Sequence, residues 1–421
     1  MDDAVTTLTA DIDPAASDLL ARRPQPLGVF PLPLGYLLIP AGPDTEAARE
    51  VLLTGNAPEV WPAALLAHER ALAGDRDGAL AALAGSDAVT RYNRFVLDPD
   101  AESAEDVRAG LGEFAVLVDV VQFALGRSDV VPELGAADAE FAALVLSAHA
   151  SNAVNSGDPA TATALLDVAV AAATPVSKPL AGLLLGAAAS VCADGGDNSG
   201  VLRLERALRL LDGADGLRIS RAELHLTLAG MLHEQGDAHP ELMVAAIPHY
   251  HSALQLVLRE EAPLLWASAH ANLATAYLTM PMVEASGQLR LGVAANSLRS
   301  ALTVYTRDEH PEQWASVQLN LANSLVYTPS KHQADNLVEA VELYEAVLEA
   351  RDRETDPMGR ARVLANQGNV LAHLGAFDHA KAKLYEARFL FEELDDQDSV
   401  RMVRGVLDEV ARQLTLNRSQ A

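Results

Sequence analysis

The sequence repeats itself, and the repeat leaves few folds open. Trp266-Ala267-Ser268-Ala269-His270-Ala271-Asn272-Leu273-Ala274 returns forty-eight positions later as Trp314-Ala315-Ser316-Val317-Gln318-Leu319-Asn320-Leu321-Ala322, with Trp, Ala, Ser, Asn, Leu and Ala in step. A third copy, Arg362-Val363-Leu364-Ala365-Asn366-Gln367-Gly368, places Asn366 forty-six residues after Asn320. The second halves also correspond: Ser252-Ala253-Leu254, Ser300-Ala301-Leu302 and Ala346-Val347-Leu348. Pro263, Pro311 and Pro357 each stand ten residues beyond Ala253, Ala301 and Val347. A unit this short does not bury its own apolar face, so the copies must stack, and a 421-residue chain then grows in one dimension.

Composition decides what the units are made of. Half of the chain is hydrophobic but only 5% is aromatic, leaving mainly Ala, Leu and Val. Ala and Leu lose little side-chain freedom on a helix, so helix is expected. Each unit reads as helix, loop, helix, and a proline expected to stop the second helix. In the last unit Gly368 and Leu371 lie on a first helix, Gly375-Ala376-Phe377-Asp378 form the turn, and Ala380, Leu384 and Ala387 line the second. Small residues let the helices approach, and leucines fill the space between them.

This spacing resembles the tetratricopeptide-repeat (TPR) family. The resemblance extends to Leu273-Ala274 with Tyr277, Ala294, Leu298 and Ala301, and to Leu321-Ala322 with Leu325, Ala340, Tyr344 and Val347. An earlier unit fits as Leu228-Ala229, Leu232, Ala246, Tyr250 and Ala253. These units depart from the family in longer loops, from Met280 to Gly292 and from Thr328 to Asn336. The wording Val304 to Ala315 is similar to long-loop bacterial TPR arrays that accompany caspase-like CHAT peptidases or other effectors; the repeats fill most of this chain, so an effector would be a separate polypeptide. The resemblance implies an all-α, right-handed α-solenoid of TPR-like helix pairs, with a C-terminal capping helix and an irregular N-terminal arm.

Five segments follow: an irregular apolar arm (1–50), a divergent helical part (51–135), degenerate TPR-like pairs (136–216), regular repeats (217–396), and a capping helix and tail (397–421). The arm, Leu27 to Pro40, is apolar but broken by Pro and Gly, so it is extended or a small hairpin, lying on the solenoid or on a partner. In the second segment Ala73 to Gly78 joins Trp61–Leu72 to Ala79–Leu83. An amphipathic helix follows through Val107, Leu111, Phe114, Val118, Val121 and Leu125, capped by Ser103 with Asp106. Asn155 to Pro159 and Asp194 to Asn198 make the turns of the third segment. In the last, Val403, Val406, Leu407, Val410 and Leu414 form one side of a helix from Asp398.

The formal net charge of −27 repels phosphate backbones and anionic lipid, which argues against nucleic-acid and membrane partners; a basic protein partner is the alternative to simple solubility. The single cysteine, Cys192, excludes an internal disulfide and reads as a buried small hydrophobe. The start Met1-Asp2-Asp3-Ala4 lacks the order of a signal peptide, and prolines interrupt the uncharged stretch Pro24–Pro43, so a cytoplasmic protein is expected.

No Gly-rich phosphate loop, HExxH or Gly-x-Ser-x-Gly is present, so no enzyme and no cofactor is expected. Histidine is enriched: His225 and His270 occupy equivalent positions, and His233, His239, His249 and His251 crowd one unit. Repeat inheritance explains the first pair. Metal handling, as in an assembly or maturation factor for a metalloenzyme complex, is the alternative function. The stronger signal is asparagine. First helices of a TPR stack line its concave groove, which puts Asn272, Asn320 and Asn366 in one column and Asn323 and Asn369 three residues after the last two. An amide both donates and accepts, so it matches the backbone of a peptide or helix from a protein partner; bonding to neighbouring helices is the other use. The same positional logic adds Glu223, Thr275, Tyr327 and His373. Only Arg362 is placed to serve a carboxylate clamp, since Ala271, Leu319, Ser268 and Ser316 stand where further basic residues are wanted.

Overall fold

The structure, a computed structural model, describes residues 25–26, 37–194, 199–237, 239–280, 286–327 and 332–420. It is all-α apart from one two-residue ladder, and it divides into two units, Met1–Met231 and Leu232–Ala421. The step expected at 216/217 marks the start of a helix that carries this division. Among the described residues no helix is long and apolar enough to cross a membrane.

The first unit opens with β1 (Gln25–Pro26), paired antiparallel with β2 (Leu38–Ile39). Leu37, Leu38 and Ile39 are almost wholly buried. Short helices follow: α1 (Pro43–Leu53), α2 (Leu66–Leu72), α3 (Arg76–Ala82) and α4 (Ala88–Leu97). Residues 37–39 of the arm thus lie on their own chain, and the segment assigned to the arm ends in a helix from Pro43. The stretch 27–36 lies outside the described residues. The helix expected over Trp61–Leu72 begins only at Leu66, after a 3₁₀ turn at Ala63–Leu65.

The single amphipathic helix expected through Leu125 is broken. It runs as α5 (Ala104–Leu111), a 3₁₀ turn over Gly112–Phe114, and α6 (Val116–Ala124). Gly112 sits at φ 57, a left-handed conformation that redirects the chain. The apolar periodicity survives because both pieces bury the same residues, Val107, Leu111, Phe114, Val118 and Val121. Ser103 accepts from the Asp106 N–H at 3.4 Å, as the capping pattern predicts. Regular pairing starts with α7 (Ala139–Asn155) against α8 (Pro159–Ala173), then α9 (Lys178–Asp194) against α10 (Gly200–Leu210), and α11 (Arg218–Glu234). Asp158 caps α8 by accepting from Thr161 N–H at 3.0 Å, and Pro159 takes the first helical position, where no N–H is needed. Cys192 is buried, 3.5 Å from the Ser199 hydroxyl.

The second unit stacks helix pairs in line: α12 (Pro240–Leu256) leads to α13 (Pro263–Thr279) with α14 (Ser286–Ala301). Then come α15 (Pro311–Tyr327) with α16 (Gln333–Ala350), α17 (Pro357–His373) with α18 (Phe377–Glu393), and α19 (Gln397–Gln420). Each helix packs on the next, and first helices also touch across α13, α15, α17 and α19. That is a solenoid of paired helices. The recurring prolines do not end the second helices, which stop several residues earlier; Pro263, Pro311 and Pro357 begin the first helices that follow. The loops expected from Met280 and Thr328 are shorter than read, since α14 starts at Ser286 and α16 at Gln333.

The contact surface between paired helices is made of small residues. Ala274, Ala322 and Gly368 on first helices and Ala294, Ala340 and Ala380 on second helices are all buried. A Cβ on Gly368 would lie 2.7 Å from Leu384 Cγ and 3.3 Å from the Ala380 carbonyl oxygen. Outside, Arg259, Arg307 and Arg353 hold equivalent places and reach the Thr303 carbonyl, Glu349 and Glu393. α19 closes the stack with Val400, Val403, Leu407 and Val410 buried.

Two buried polar side chains hold the arm of the first unit. Asn93 accepts from Leu38 N–H at 2.7 Å and donates to the Leu38 carbonyl at 2.9 Å, while His68 Nε2 lies 3.1 Å from that carbonyl. The amide thus pairs with both backbone groups of Leu38, as a neighbouring strand would. Burial lowers His68 from an ordinary pKa of 6.5 to about 4, against the smaller opposing effect of the Leu38 carbonyl. The unfolded chain therefore takes up a proton that the folded chain refuses. Stability is full above about pH 6.5, falls as the pH drops toward 4, and loses at most roughly 3 kcal/mol over that window. In urea unfolding of the full chain from about pH 7 to about pH 4, His68→Gln is expected to flatten this part of the pH dependence. An unchanged slope would contradict the assignment.

Candidate functional site

The candidate residues Asn272, Thr275, Asn320, Asn323, Tyr327, Arg362, Asn366, Asn369 and His373 all fall on the first helices of the second unit, α13, α15 and α17. Glu223 is on α11 in the first unit and is not part of this set. The repeat register arranges them in two columns: Asn272, Asn320 and Asn366, and beside it Thr275, Asn323 and Asn369. Tyr327, Arg362, Asn366 and His373 are exposed, and the rest are half-buried.

The columns are tied together diagonally. Asn320 donates from Nδ2 to Thr275 Oγ1 at 3.4 Å, and one repeat later Asn366 donates from Nδ2 to Asn323 Oδ1 at 3.2 Å. Asn323 Oδ1 also accepts from the hydroxyl of Tyr344 on α16 at 2.7 Å. Tyr344 is buried, and burial pushes its pKa up, with Tyr327 adding to the effect. Part of the asparagine set therefore holds the stack together.

The pattern stops at Asn369. An aspartate caps both α17 and α19, Asp356 and Asp396, accepting from Gly359 N–H and Ser399 N–H. Aligning the two caps puts Val406 where Asn366 stands, and Leu384 stands where Tyr344 does. Neither Val nor Leu donates, so Asn369 receives neither of the bonds that occupy Asn323. Its amide instead lines a cleft of 710 Å³ between α17, the start of α18 and α19, together with His373, Phe377, Met402, Val406 and Glu409. Glu409 pairs with Arg412 at 2.7 Å and accepts from Gln413 at 2.9 Å. The contribution of α19 was not read from the sequence, where Val406 counted only as part of a cap; the shared Asp cap, Asp356 and Asp396, was the signal that aligned it.

The histidines serve as struts. His233 lies 3.4 Å from the Tyr250 hydroxyl and 3.2 Å from Thr279 Oγ1, and His251 lies 3.1 Å from the Tyr277 hydroxyl. His270 packs edge-on to Trp266 with centroids 4.3 Å apart; burial lowers its pKa, helped by His251. Among the described residues no three His, Cys, Asp or Glu side chains converge on a metal position. A second cavity, of 430 Å³, lies in the first unit beside Phe114 and Phe141, where Arg108 pairs with Asp119.

No family model matches the sequence, and no curated protein matches it. Solved structures similar to it include a Rap protein complexed with competence and sporulation factor, at 15% identity and a TM-score of 0.41, over 84% of this chain and 98% of that one. The TPR domain of P58(IPK) is similar at 15% identity and a TM-score of 0.28, over 84% and 98%. The human IFIT1 dimer with PPP-AAAA is similar at 13% identity and a TM-score of 0.40, over 89% and 96%.

Asn323 and Asn369 should respond differently to truncation. Asn323→Ala strips a buried tyrosine hydroxyl of its acceptor and is expected to cost about 1–3 kcal/mol. Asn369→Ala removes no such bond and is expected to stay within about 0.5 kcal/mol. Thermal and urea unfolding of both variants would check the pair; equal losses would contradict the bonding scheme.

Proposed function

We propose that the chain is a non-enzymatic scaffold that holds a segment of a protein partner along the first helices of its second unit, ending in the cleft beside α19. The observation that carries this is Asn369. Asn320, Asn323 and Asn366 each make at least one bond to a neighbour in the stack, whereas Asn369 has neither of the donors that reach Asn323 and lines a cleft walled by Phe377, Met402 and Val406. A half-buried amide beside apolar walls suits a peptide, whose backbone supplies N–H and C=O and whose side chain fills the space. The TPR resemblance of the repeats supports the same use of first helices. A regulatory array working beside a separately encoded effector is the setting that the long-loop resemblance favours.

The test is Asn369→Ala combined with His373→Ala in the full chain. Circular dichroism and Tm should stay at wild type. In quantitative mass spectrometry of proteins co-purifying with the tagged chain from its own cells, the principal partner should fall about tenfold or more, the loss of roughly 1.4 kcal/mol. Undiminished recovery would remove this face from the account.

A further inference from the structure

The charge of this protein is not spread evenly, and the unevenness bears on what the face accepts. With 58 acidic residues in 421, about seven would fall by chance on three helices of 17 residues. α13, α15 and α17 together carry one, Glu312, in the first turn of α15 and away from the columns. One of their two guanidiniums is tied up within the stack. Arg360 pairs with Glu386 at 3.2 Å and donates to the Leu348 and Arg351 carbonyls. The other, Arg362, is exposed; the Asp396 carboxyl is held low first by its hydrogen bonds from Ser399 and to a lesser extent by Arg362. Two of the second helices are acidic, with Asp335, Glu339, Glu342, Glu345 and Glu349 on α16 and Asp378, Glu386, Glu392 and Glu393 on α18, while α14 carries no carboxylate. Several of these meet cations from neighbouring repeats, as in Arg299–Glu339 and Lys383–Glu345.

A neutral, amide-lined face inside an acidic protein selects by what it does not offer. A lysine or arginine laid there would shed water without gaining a counter-charge, since the one carboxylate in the cleft, Glu409, is already held by Arg412 and Gln413. An acidic segment would be repelled by the protein's overall field. An uncharged backbone with small polar or apolar side chains meets neither penalty.

Building on the proposed partner-holding role of this face, we infer that the segment it takes is an extended, uncharged stretch of polypeptide, bound through its backbone amides with an apolar side chain in the α19 cleft. Its affinity is then nearly independent of salt despite the net charge of −27.

The test uses the full chain and an array of synthetic peptides about 12 residues long, roughly 40 Å when extended. Each neutral sequence of Ser, Thr, Asn, Gly, Ala, Val and Leu is matched by versions with two central residues replaced by Lys or by Glu. Neutral peptides should bind, either replacement should weaken them about tenfold, and raising NaCl from about 50 to about 500 mM should change Kd by less than about twofold. Asn369→Ala with His373→Ala should abolish the binding. If Lys-bearing peptides bind best, lose affinity steeply with salt and still require Asn369 and His373, this inference falls and the face remains the binding site. Binding indifferent to the double substitution would overturn both. Failure of every neutral peptide at about 100 μM would overturn the inference alone, the co-purification result standing separately.

Discussion

The close approach of paired helices at small residues is the constraint on which the second unit depends. At Ala274, Ala322 and Gly368 on first helices, and at Ala294, Ala340 and Ala380 on second helices, the buried side chain is a methyl or smaller. At Gly368 even a methyl is too much, because Leu384 and the Ala380 carbonyl already occupy its place. This fixes how far each first helix lies from the next. That distance brings an amide on one repeat within reach of the polar residue three positions further along the repeat before it. The diagonal bonds Asn320–Thr275 and Asn366–Asn323 depend on that packing, and at Asn369 they are missing because Val406 and Leu384 supply no donor.

Much of this was legible because repeats print their contacts in register. The positions of Ala274, Ala322, Gly368 and Asn272, Asn320, Asn366 follow from alignment of the chain with itself. What alignment left open was the use of each amide, since Asn323 and Asn369 look alike in a column and differ only in their neighbours. The tyrosine at 344 and the leucine at 384 decided it, and both read equally as core. The prolines show the opposite failure. Their position was read correctly and their role was not, because a proline disfavours helix before it and favours helix after it. The break at Gly112 was hidden for a related reason: the buried apolar positions keep helical spacing across it while the backbone turns away.

The two units also solve the exposed-backbone problem differently. In the second, each helix packs on the next through to α19. In the first, an extended arm enters the core, and Asn93 and His68 act for Leu38 as a neighbouring strand would. Side-chain amides thus read backbone in the first unit, within one chain, much as the proposed face of the second unit would read a partner. The carboxylates of α16 and α18 lie off the first helices, which leaves the face almost free of acid in a protein of net charge −27.

The second helix α18 also carries half-exposed aromatics, Tyr385 and Phe389, which stack with Arg388 and Arg353. The account is tested most directly by placing the photo-crosslinking residue benzoylphenylalanine at His373 or at Phe389 in the full chain, irradiating intact cells, and identifying adducts by mass spectrometry. A partner adduct from position 373 and none from 389 is the result expected. Adducts from 389 alone would contradict the account and move the binding surface to the second helices.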